Sequence, residues 1–264
     1  MLIGCRSGYT PCKNRLAVVC NRMIEWYKCI CLGDRDIPFF NDSSYENRIP
    51  SHLLVKRMAL LPINFTVTAW AIDTRVLHQT GFGRLVSGDF CLCADVGSLG
   101  PDHLPGHNHA ETLSFELTIS EERFVVSTGI STYAVGPRRT AERSTSAHNS
   151  IEIAGCSSSE VWSSFRVGRR ASCRLERFST GDHQEKNGPR LVASHNGFMP
   201  SFSALHRREF HLTSEVVTIH DHVSNFQKLL EQAIPVEGYL HIHPNWSIVS
   251  ASQNLKNLIF YCPK

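Results

Sequence analysis

The sequence predicts a mainly β protein, an antiparallel β-sandwich preceded by a short helical segment, and three observations lead to this prediction. From about Asn64 onward, short apolar or alternating segments are separated by Gly, Pro, Asn and Asp roughly every 8 to 12 residues, as in antiparallel sandwiches. Two earlier segments repeat apolar residues at helical spacing. No β-α-β alternation and no glycine-rich phosphate loop occurs, which excludes nucleotide-binding α/β folds. We therefore assign residues 1–63 to the helical part and residues 64–264 to the sandwich.

Composition excludes several classes of protein. The 264 residues are 42% hydrophobic and 19% charged, so the chain is not a disordered one. A net charge of +3 is too small to predict nucleic-acid binding, and no apolar run approaches the roughly 20 residues of a membrane span. The 10 cysteines form no C-x-x-C unit, which argues against a zinc ribbon or a thioredoxin-type site.

Two helices are predicted in the first part. The first covers Leu16–Cys31, where apolar residues recur at three- and four-residue steps, and Gly33 ends it. The second begins at Pro50, a residue favoured in the first helical turn, and ends at Pro62. Residues 34–44 between them are a loop. Because two helices cannot form a core alone, this part is interpreted as the end of a larger helical assembly.

The clearest strand is Thr112–Ile119, in which Leu113, Phe115 and Leu117 alternate with polar residues. Further segments share short length, apolar content and flanking turn residues. These predicted strands are Leu85–Cys93, Phe124–Ser127, Ser150–Ile153, Phe165–Leu175, Arg190–His195, Glu209–Leu212, Val216–His220 and Tyr239–His243.

The most informative stretch for function is Pro105–Glu111. On an extended chain, His107 and His109 project to the same side, as a metal site or an acid–base pair requires, and they share the covered side with Leu113. His148 precedes another strand and is a third candidate. Hydrogen-bonded core histidines are an equally good interpretation. A cupin metal site is a poorer one, because the acid follows the second histidine too closely and the later proline-glycine motif is absent.

Arginines outnumber acids in the middle of the chain, which suggests a groove for an acidic sugar, since guanidinium groups bind carboxylates and sulfates bidentately. An ordinary solvated surface is the alternative. Trp162 could stack on a sugar ring or belong to the core. The seven arginines are Arg138, Arg139, Arg143, Arg166, Arg169, Arg170 and Arg174.

Several motifs in order resemble the heparinase II/III-like family, in the branch found with bacterial surface and extracellular polysaccharides. The resemblance runs from roughly Gly33 to about Ser250. The motifs are Asp95-Val96-Gly97-Ser98-Leu99-Gly100-Pro101-Asp102, Gly106-His107-Asn108-His109-Ala110-Glu111, Ser127-Thr128-Gly129, Arg143-Ser144-Thr145-Ser146-Ala147-His148-Asn149-Ser150, Ser158-Ser159-Glu160-Val161-Trp162 and Ala193-Ser194-His195-Asn196-Gly197-Phe198.

The resemblance implies a polysaccharide lyase in which an α/α toroid and a β-sandwich enclose the sugar. Its chemistry is β-elimination on a uronic acid, in which a base removes the proton beside the carboxylate and an acid protonates the departing oxygen. The first histidine of the family motif, here His107, would be catalytic. Tyr133 could donate a proton on chemical grounds, but the resemblance assigns the catalytic tyrosine to the toroid. The substrate-binding candidates are Arg139, Arg143, Asn149, Trp162 and Arg166.

The resemblance also implies a structural zinc held by His109, His148 and the residue at Ser127. Two departures from the family pattern matter here: Glu111 replaces an Asp, and Ser127 offers a hydroxyl, which is a poor zinc ligand. Zinc occupancy is therefore left open.

The expected partner is an acidic polysaccharide, and the expected location is the periplasm or cell envelope, both by resemblance. Only the end of a toroid is recognised, so a separate toroid-bearing chain could be required and this chain alone could be inactive. The alternative function is a non-catalytic sandwich that binds acidic carbohydrate, or a gene remnant.

Overall fold

The computed structural model describes residues 10–46, 48–60, 72–181, 188–251 and 258–261. The helices in these ranges are α1 (Thr10–Ile30), α2 (Ser51–Ala59), α3 (Pro137–Arg143), α4 (Met199–Phe202) and α5 (Phe226–Glu231), with 3-10 turns at Pro105–His107 and Thr145–Ala147. The strands are β1 (Arg75–Leu77), β2 (Phe82–Ser87), β3 (Phe90–Asp95), β4 (Phe115–Ile119), β5 (Glu122–Val125), β6 (Ile151–Ile153), β7 (Val161–Trp162), β8 (Arg166–Val167), β9 (Cys173–Ser179), β10 (Arg190–His195), β11 (His206–Leu212), β12 (Val217–Val223), β13 (Val236–Gly238), β14 (Ser247–Ala251) and β15 (Leu258–Tyr261). None of the helices in the described ranges is long and apolar enough to cross a membrane.

Two antiparallel sheets that pack face to face form the body of the protein. One has five strands in the order β1-β2-β3-β4-β5, and the other has four in the order β12-β11-β10-β9. Both contribute to one apolar core, in which the ring centroids of Phe115 and Phe210 lie 5.6 Å apart. The remaining pairs are β6–β13, β7–β8 and β14–β15. The predicted mainly β sandwich with a preceding helical segment is confirmed.

The outer face of the five-stranded sheet is covered by residues 31–46, the segment that follows α1. Side chains alternate along β3, so Leu92 faces the sandwich core while Cys93 faces this segment. At Gly33 a Cβ would come within 2.3 Å of the Ser120 carbonyl oxygen, so only glycine allows the chain to run this close to the sheet.

A chain of ion pairs fixes segment 31–46 on the sheet. The Arg123 guanidinium donates to Glu116 at 2.9 Å and to Asp34 at 2.6 Å. Glu116 is fully buried and also accepts the Phe39 backbone N–H at 2.6 Å. The charged side chains of Arg123, Glu116 and Asp34 are all paired with one another, so the segment that continues to Asp42 has a defined position.

Helix α1 ends at Ile30, close to its predicted end, and begins at Thr10, six residues before its predicted start. The buried Arg84 of β2 donates to the carbonyls of Lys28 at 2.5 Å and Cys31 at 3.0 Å. A cation there satisfies carbonyls that a helix end leaves unpaired and opposes the negative end of the helix dipole.

The second helix, α2, begins next to the predicted Pro50. Its predicted end at Pro62 and the predicted domain boundary between residues 63 and 64 lie outside the described residues.

Two predicted strands are interrupted by turns. Leu85–Cys93 comprises parts of β2 and β3, joined by a turn at which Gly88 has a φ of +55°. Thr112–Ile119 becomes regular only at Phe115, because Leu113 has a φ of +64° and leaves the extended conformation.

Two other predictions are corrected. Phe165–Leu175 contains β8 and the start of β9 rather than one strand. In Tyr239–His243 only Ile242 forms a bridge, to Val125, and the strand precedes it as β13. The remaining predicted strands overlap β5, β6, β10, β11 and β12, and β10 agrees at both ends.

A polar network lies at one end of the four-stranded sheet; its His195, His206 and Arg208 are buried, and the side chain of its Asp221 is 32% exposed. His195 Nε2 lies 3.0 Å from His206 Nδ1, and His206 Nε2 lies 2.7 Å from Asp221 Oδ1. Arg208 donates to both oxygens of Asp221, at 2.6 and 2.9 Å, and to the Leu113 carbonyl at 2.8 Å. Since Leu113 belongs to the chain entering β4, this network links the two sheets.

Candidate functional site

The candidate site is built around the carboxylate of Asp42, which segment 31–46 delivers to the edge of the sandwich. Its Oδ2 lies 2.7 Å from His107 Nδ1, and its Oδ1 lies 2.9 Å from His109 Nε2. The buried guanidinium of Arg139 on α3 donates to the same Oδ1 at 2.6 Å. Two histidines and one arginine therefore converge on one carboxylate.

The two histidines differ in exposure, which corrects the expectation that both lie on a covered face. Residues Pro105–His107 form a 3-10 turn rather than a strand. As a result the His107 side chain is 57% exposed, while that of His109 is fully buried. The two rings come together because both bond to Asp42, and not because they project from the same side of an extended strand.

The state of Asp42 fixes the tautomer of both rings. Burial alone would raise the pKa of Asp42, but hydrogen bonds from His109, Arg139 and His107 lower it to about 2. An ionised carboxylate can only accept, so in its neutral form each imidazole donates a ring N–H to Asp42, His107 through Nδ1 and His109 through Nε2. His107 then keeps the lone pair of its exposed Nε2 free, as a general base requires.

Aromatic side chains surround the exposed ring of His107. Its centroid lies 6.3 Å from that of Tyr133 and 5.5 Å from that of Phe165. Those two rings stack 5.7 Å apart and are about half exposed, at 44% and 47%. The Arg139 guanidinium lies over both, 5.2 Å from Tyr133 and 5.7 Å from Phe165. We call His107, Tyr133 and Phe165 the His107 patch.

Trp162 and Arg166 extend this surface. They are cross-strand partners in the β7–β8 pair, and both are exposed. Strand β8 packs against the turn that carries His107. These two residues are thus placed where a ligand at His107 could reach them, and their predicted role in substrate binding stays a prediction.

Three other predicted substrate-binding residues are corrected. Arg139, Arg143 and Asn149 are fully buried. Arg143 donates to the Asn108 carbonyl at 2.9 Å, and Asn149 Nδ2 donates to the Phe115 carbonyl at 2.8 Å. Their polar groups fix the backbone and Asp42, so they present no free side chain to a ligand.

Behind Asp42 lies a buried cluster of His109, Glu111 and His148. One ligand atom from each lies within 4.8 Å of the others. His109 Nδ1 is 3.2 Å from His148 Nε2, and Glu111 Oε2 is 3.3 Å from His148 Nδ1. The Ser127 hydroxyl lies 2.8 Å from His148 Nδ1.

This cluster fits a zinc ion by its donor set. Two imidazoles and one carboxylate are common zinc ligands. Glu111 Oε2 is buried and has no hydrogen-bond partner among the described residues, an arrangement that is costly unless a cation or a proton lies beside it. Burial raises the pKa of Glu111 well above its usual value and lowers those of His109 and His148. Glu111 is thus a further candidate zinc ligand beside the predicted His109 and His148. The predicted Ser127 contacts the cluster through its hydrogen bond to His148.

Sequence reasoning missed Asp42 and Phe165. Asp42 lies in a loop without periodicity, 65 residues before His107, and no spacing rule connects them. Phe165 was counted in a strand. A search for acids in the predicted loop at residues 34–44 is the one signal that could have found Asp42.

Comparisons with known proteins identify one family and several similar solved structures. Residues 72–259 match the family model described as heparinase II/III-like, C-terminal. Among solved structures, the chain is similar to a heparinase III gene product, with a TM-score of 0.55 at 16% identity over 76% of this chain and 32% of that one. It is also similar to the heparan sulfate lyase HepC from Pedobacter heparinus, with a TM-score of 0.51 at 16% identity over 75% of this chain and 31% of that one.

At this identity the likeness establishes the fold. The chain spans about a third of the length of these structures. No curated protein matches it.

Proposed function

Because the chain belongs to the heparinase II/III-like family, through the C-terminal domain that residues 72–259 match, we propose that it acts in polysaccharide lysis by β-elimination on uronic-acid units. The observation that carries this proposal is the exposed His107 ring, whose Nδ1 is held 2.7 Å from the Asp42 carboxylate. An oriented imidazole with a free, solvent-facing nitrogen is suited to removing a weakly acidic carbon-bound proton.

The proposed reaction assigns a step to each group. His107 Nε2 takes the proton from the carbon beside the uronate carboxylate, and Asp42 stabilises the resulting imidazolium. The electron pair forms the new carbon–carbon double bond, and the glycosidic carbon–oxygen bond breaks. Tyr133, whose phenol holds a transferable proton, lies where it could protonate the departing oxygen.

Substrate binding in this proposal uses the surface beside His107. Arg166 is exposed on β8 and supplies positive charge for a uronate carboxylate, which must be neutralised before the adjacent proton becomes acidic. Trp162 and Phe165, 46% and 47% exposed, offer aromatic faces for sugar rings.

A product assay tests this function. The purified chain, incubated with heparan sulfate, alginate and other uronate polymers, is expected to release unsaturated uronates that absorb in the near ultraviolet. Binding without such release would favour the non-catalytic carbohydrate-binding alternative. If the chain releases no product and also binds no polymer in calorimetric titration, both the lyase proposal and the carbohydrate-binding alternative are contradicted.

We also propose that His109, His148 and Glu111 hold a structural zinc, which would fix the rings behind Asp42. On zinc addition to chelator-treated protein, we expect about one ion per chain by elemental analysis and a rise in the thermal midpoint. Glu111→Gln should abolish that rise, whereas Glu152→Gln, which changes a buried carboxyl outside the cluster, should preserve it. An unchanged midpoint and no retained zinc in the wild-type protein would refute the site.

The acidic polysaccharide as substrate, the periplasm or cell envelope as location and a separate toroid-bearing chain as partner belong to the same proposal. The family membership supports each of them. Addition of a separately produced toroid to the chain, with product release as the measurement, tests the last.

A further inference from the structure

A pocket is lined by Asn41, Asn108 and His109 among other residues, and no residue of the His107 patch lines it. It has a volume of about 660 Å³, within the size range of small-molecule sites. Its walls are the β1–β2 turn at residues 78–81, the loop at residues 95–101 and the start of β9. The loop contains the Asp95–Asp102 motif, to which the proposed lyase chemistry assigns no role.

Close backbone contacts shape this pocket. A Cβ on Gly81, whose φ is +77°, would lie 2.2 Å from the Gly97 Cα, so the two turns touch. A Cβ on Gly100, whose φ is +50°, would overlap the Asn108 amide at 1.8 Å. The glycines of the motif are therefore required for the loop to close against its neighbours.

Asp95 is the one acidic residue among those lining the pocket. Its Oδ1 accepts the Gly97 backbone N–H at 2.9 Å, and its other oxygen has no partner among the described residues. Burial raises the pKa of Asp95 to about 7.

Two amides beside Asp95 are held in fixed orientations. Asn41 Oδ1 accepts the His109 backbone N–H at 3.2 Å, which leaves the Asn41 amide N–H groups for a ligand. Asn108 Nδ2 donates to the Pro105 carbonyl at 3.1 Å, which leaves Asn108 Oδ1 as an acceptor for a ligand. Donors and acceptors thus alternate on one wall, while Val96 and Leu99 supply apolar surface.

No lysine or arginine is among the described residues that line the pocket, and of its two histidines His109 already bonds to Asp42 while His78 lies on the exposed β1–β2 turn. We propose that this pocket binds a neutral pyranose unit, with Asp95, Asn41 and Asn108 pairing with its hydroxyls. Carboxyl and amide groups suit adjacent hydroxyls because each provides two polar atoms in one plane. This proposal rests on the proposed function in one respect, because it takes the neutral sugar to be a unit of the same polysaccharide that contains the uronate.

Calorimetric titration with neutral methyl glycosides of glucose, galactose and mannose, and with glucuronate as the anionic probe, tests this inference. We expect saturable one-site binding of at least one neutral glycoside and none of glucuronate. Asp95→Asn should weaken that binding by about tenfold or more, the loss that one hydrogen bond represents. Asp102→Asn, on the exposed end of the same motif, should leave it unchanged.

Because Asp95→Asn could disturb the loop, Gln79→Trp at the exposed turn provides a second variant that should block the pocket without altering the interior. Absence of neutral glycoside binding, preferential glucuronate binding, or binding indifferent to both variants would overturn the proposal. His107→Ala should leave glycoside binding intact, since His107 does not line the pocket. Loss of lyase activity and loss of this site are thus separable.

Discussion

Replacing Asp42 by asparagine is expected to lower the proposed lyase activity by on the order of 10² to 10⁴-fold, about as much as removing His107 itself, because general-base catalysis contributes that range. The carboxylate accepts from His107, His109 and Arg139 at once. An amide has one oxygen and two N–H donors, so it cannot accept at both of its ends. One orientation would present an N–H to His107 Nδ1 and move the ring proton to Nε2, where the free base is needed.

The matched control is Asp34→Asn. Asp34 lies in the same segment and accepts from Arg123 at 2.6 Å, but it does not bond to a catalytic histidine. If Asp42 acts only by anchoring segment 31–46, the two variants should lose activity equally. Product release measured over time for Asp42→Asn, Asp34→Asn and His107→Ala distinguishes these cases, and near wild-type rates for Asp42→Asn would contradict the assignment.

Asp221→Ala is expected to lower the free energy of unfolding by about 3 to 5 kcal/mol, the cost of leaving a buried charge without its partner. Arg208 is 3% exposed and pairs with no other carboxylate among the described residues, and His206 is fully buried. Both donate to Asp221. The substitution therefore removes the acceptor of His206 Nε2 and of Arg208 Nε and Nη2, while Arg208 Nη1 keeps the Leu113 carbonyl.

Asp102→Ala is the matched control for this change. Asp102 is 95% exposed and pairs with Arg170, so its removal should cost less than about 1 kcal/mol. Urea unfolding midpoints of the two variants and the wild type measure the difference. Equal losses in both variants would show that the polar network around Asp221 does not stabilise the fold.

The same network predicts how stability depends on pH. Burial lowers the pKa of His195 and His206 below the unfolded value near 6.5, so the unfolded chain takes up protons first and stability falls as pH drops below about 6.5. Burial would raise the pKa of Asp221, but hydrogen bonds from His206 and Arg208 hold it well below normal. Its contribution is full above the unfolded pKa and is lost at more acid pH. The raised pKa values of Asp95, Glu111 and Glu116 act in the opposite direction, so the histidine effect is measured against a His206→Gln variant that keeps these carboxyl groups. Between pH 7.5 and 5.5 the urea midpoint of the wild type should fall relative to that of the variant, and an unchanged difference would contradict the prediction.

Residue pattern predicted the parts of this fold that depend on periodic burial. Strand β10 and the body of β4 repeat apolar residues toward one core, and this signal survives in the sequence. The break at Leu113 lies inside an alternating segment, where a local change in φ leaves the pattern unchanged, so the pattern does not reveal it. The turn at Gly88 does carry a signal, Ser87-Gly88-Asp89, which divides the predicted strand Leu85–Cys93.

The site was predictable only where chemistry and resemblance coincided. His107, His109 and His148 were identified, and the structure places His109 against both Asp42 and His148. Their neighbours were not predictable from spacing, because Asp42 comes from a loop outside the sandwich. For the arginines, residue type suggested ligand contact, but Arg139 and Arg143 are interior groups that the fold uses for its own carbonyls and for Asp42.

The position of Asp42 has a practical consequence for anyone who trims or recombines this protein. The family match begins at residue 72, and a cut placed there would retain every histidine of the site while discarding the carboxylate that orients them. A sandwich grafted onto a foreign helical region would need residues 31–46 to travel with it. The segment needed for the proposed chemistry is therefore longer than residues 72–259, the part that matches the family model.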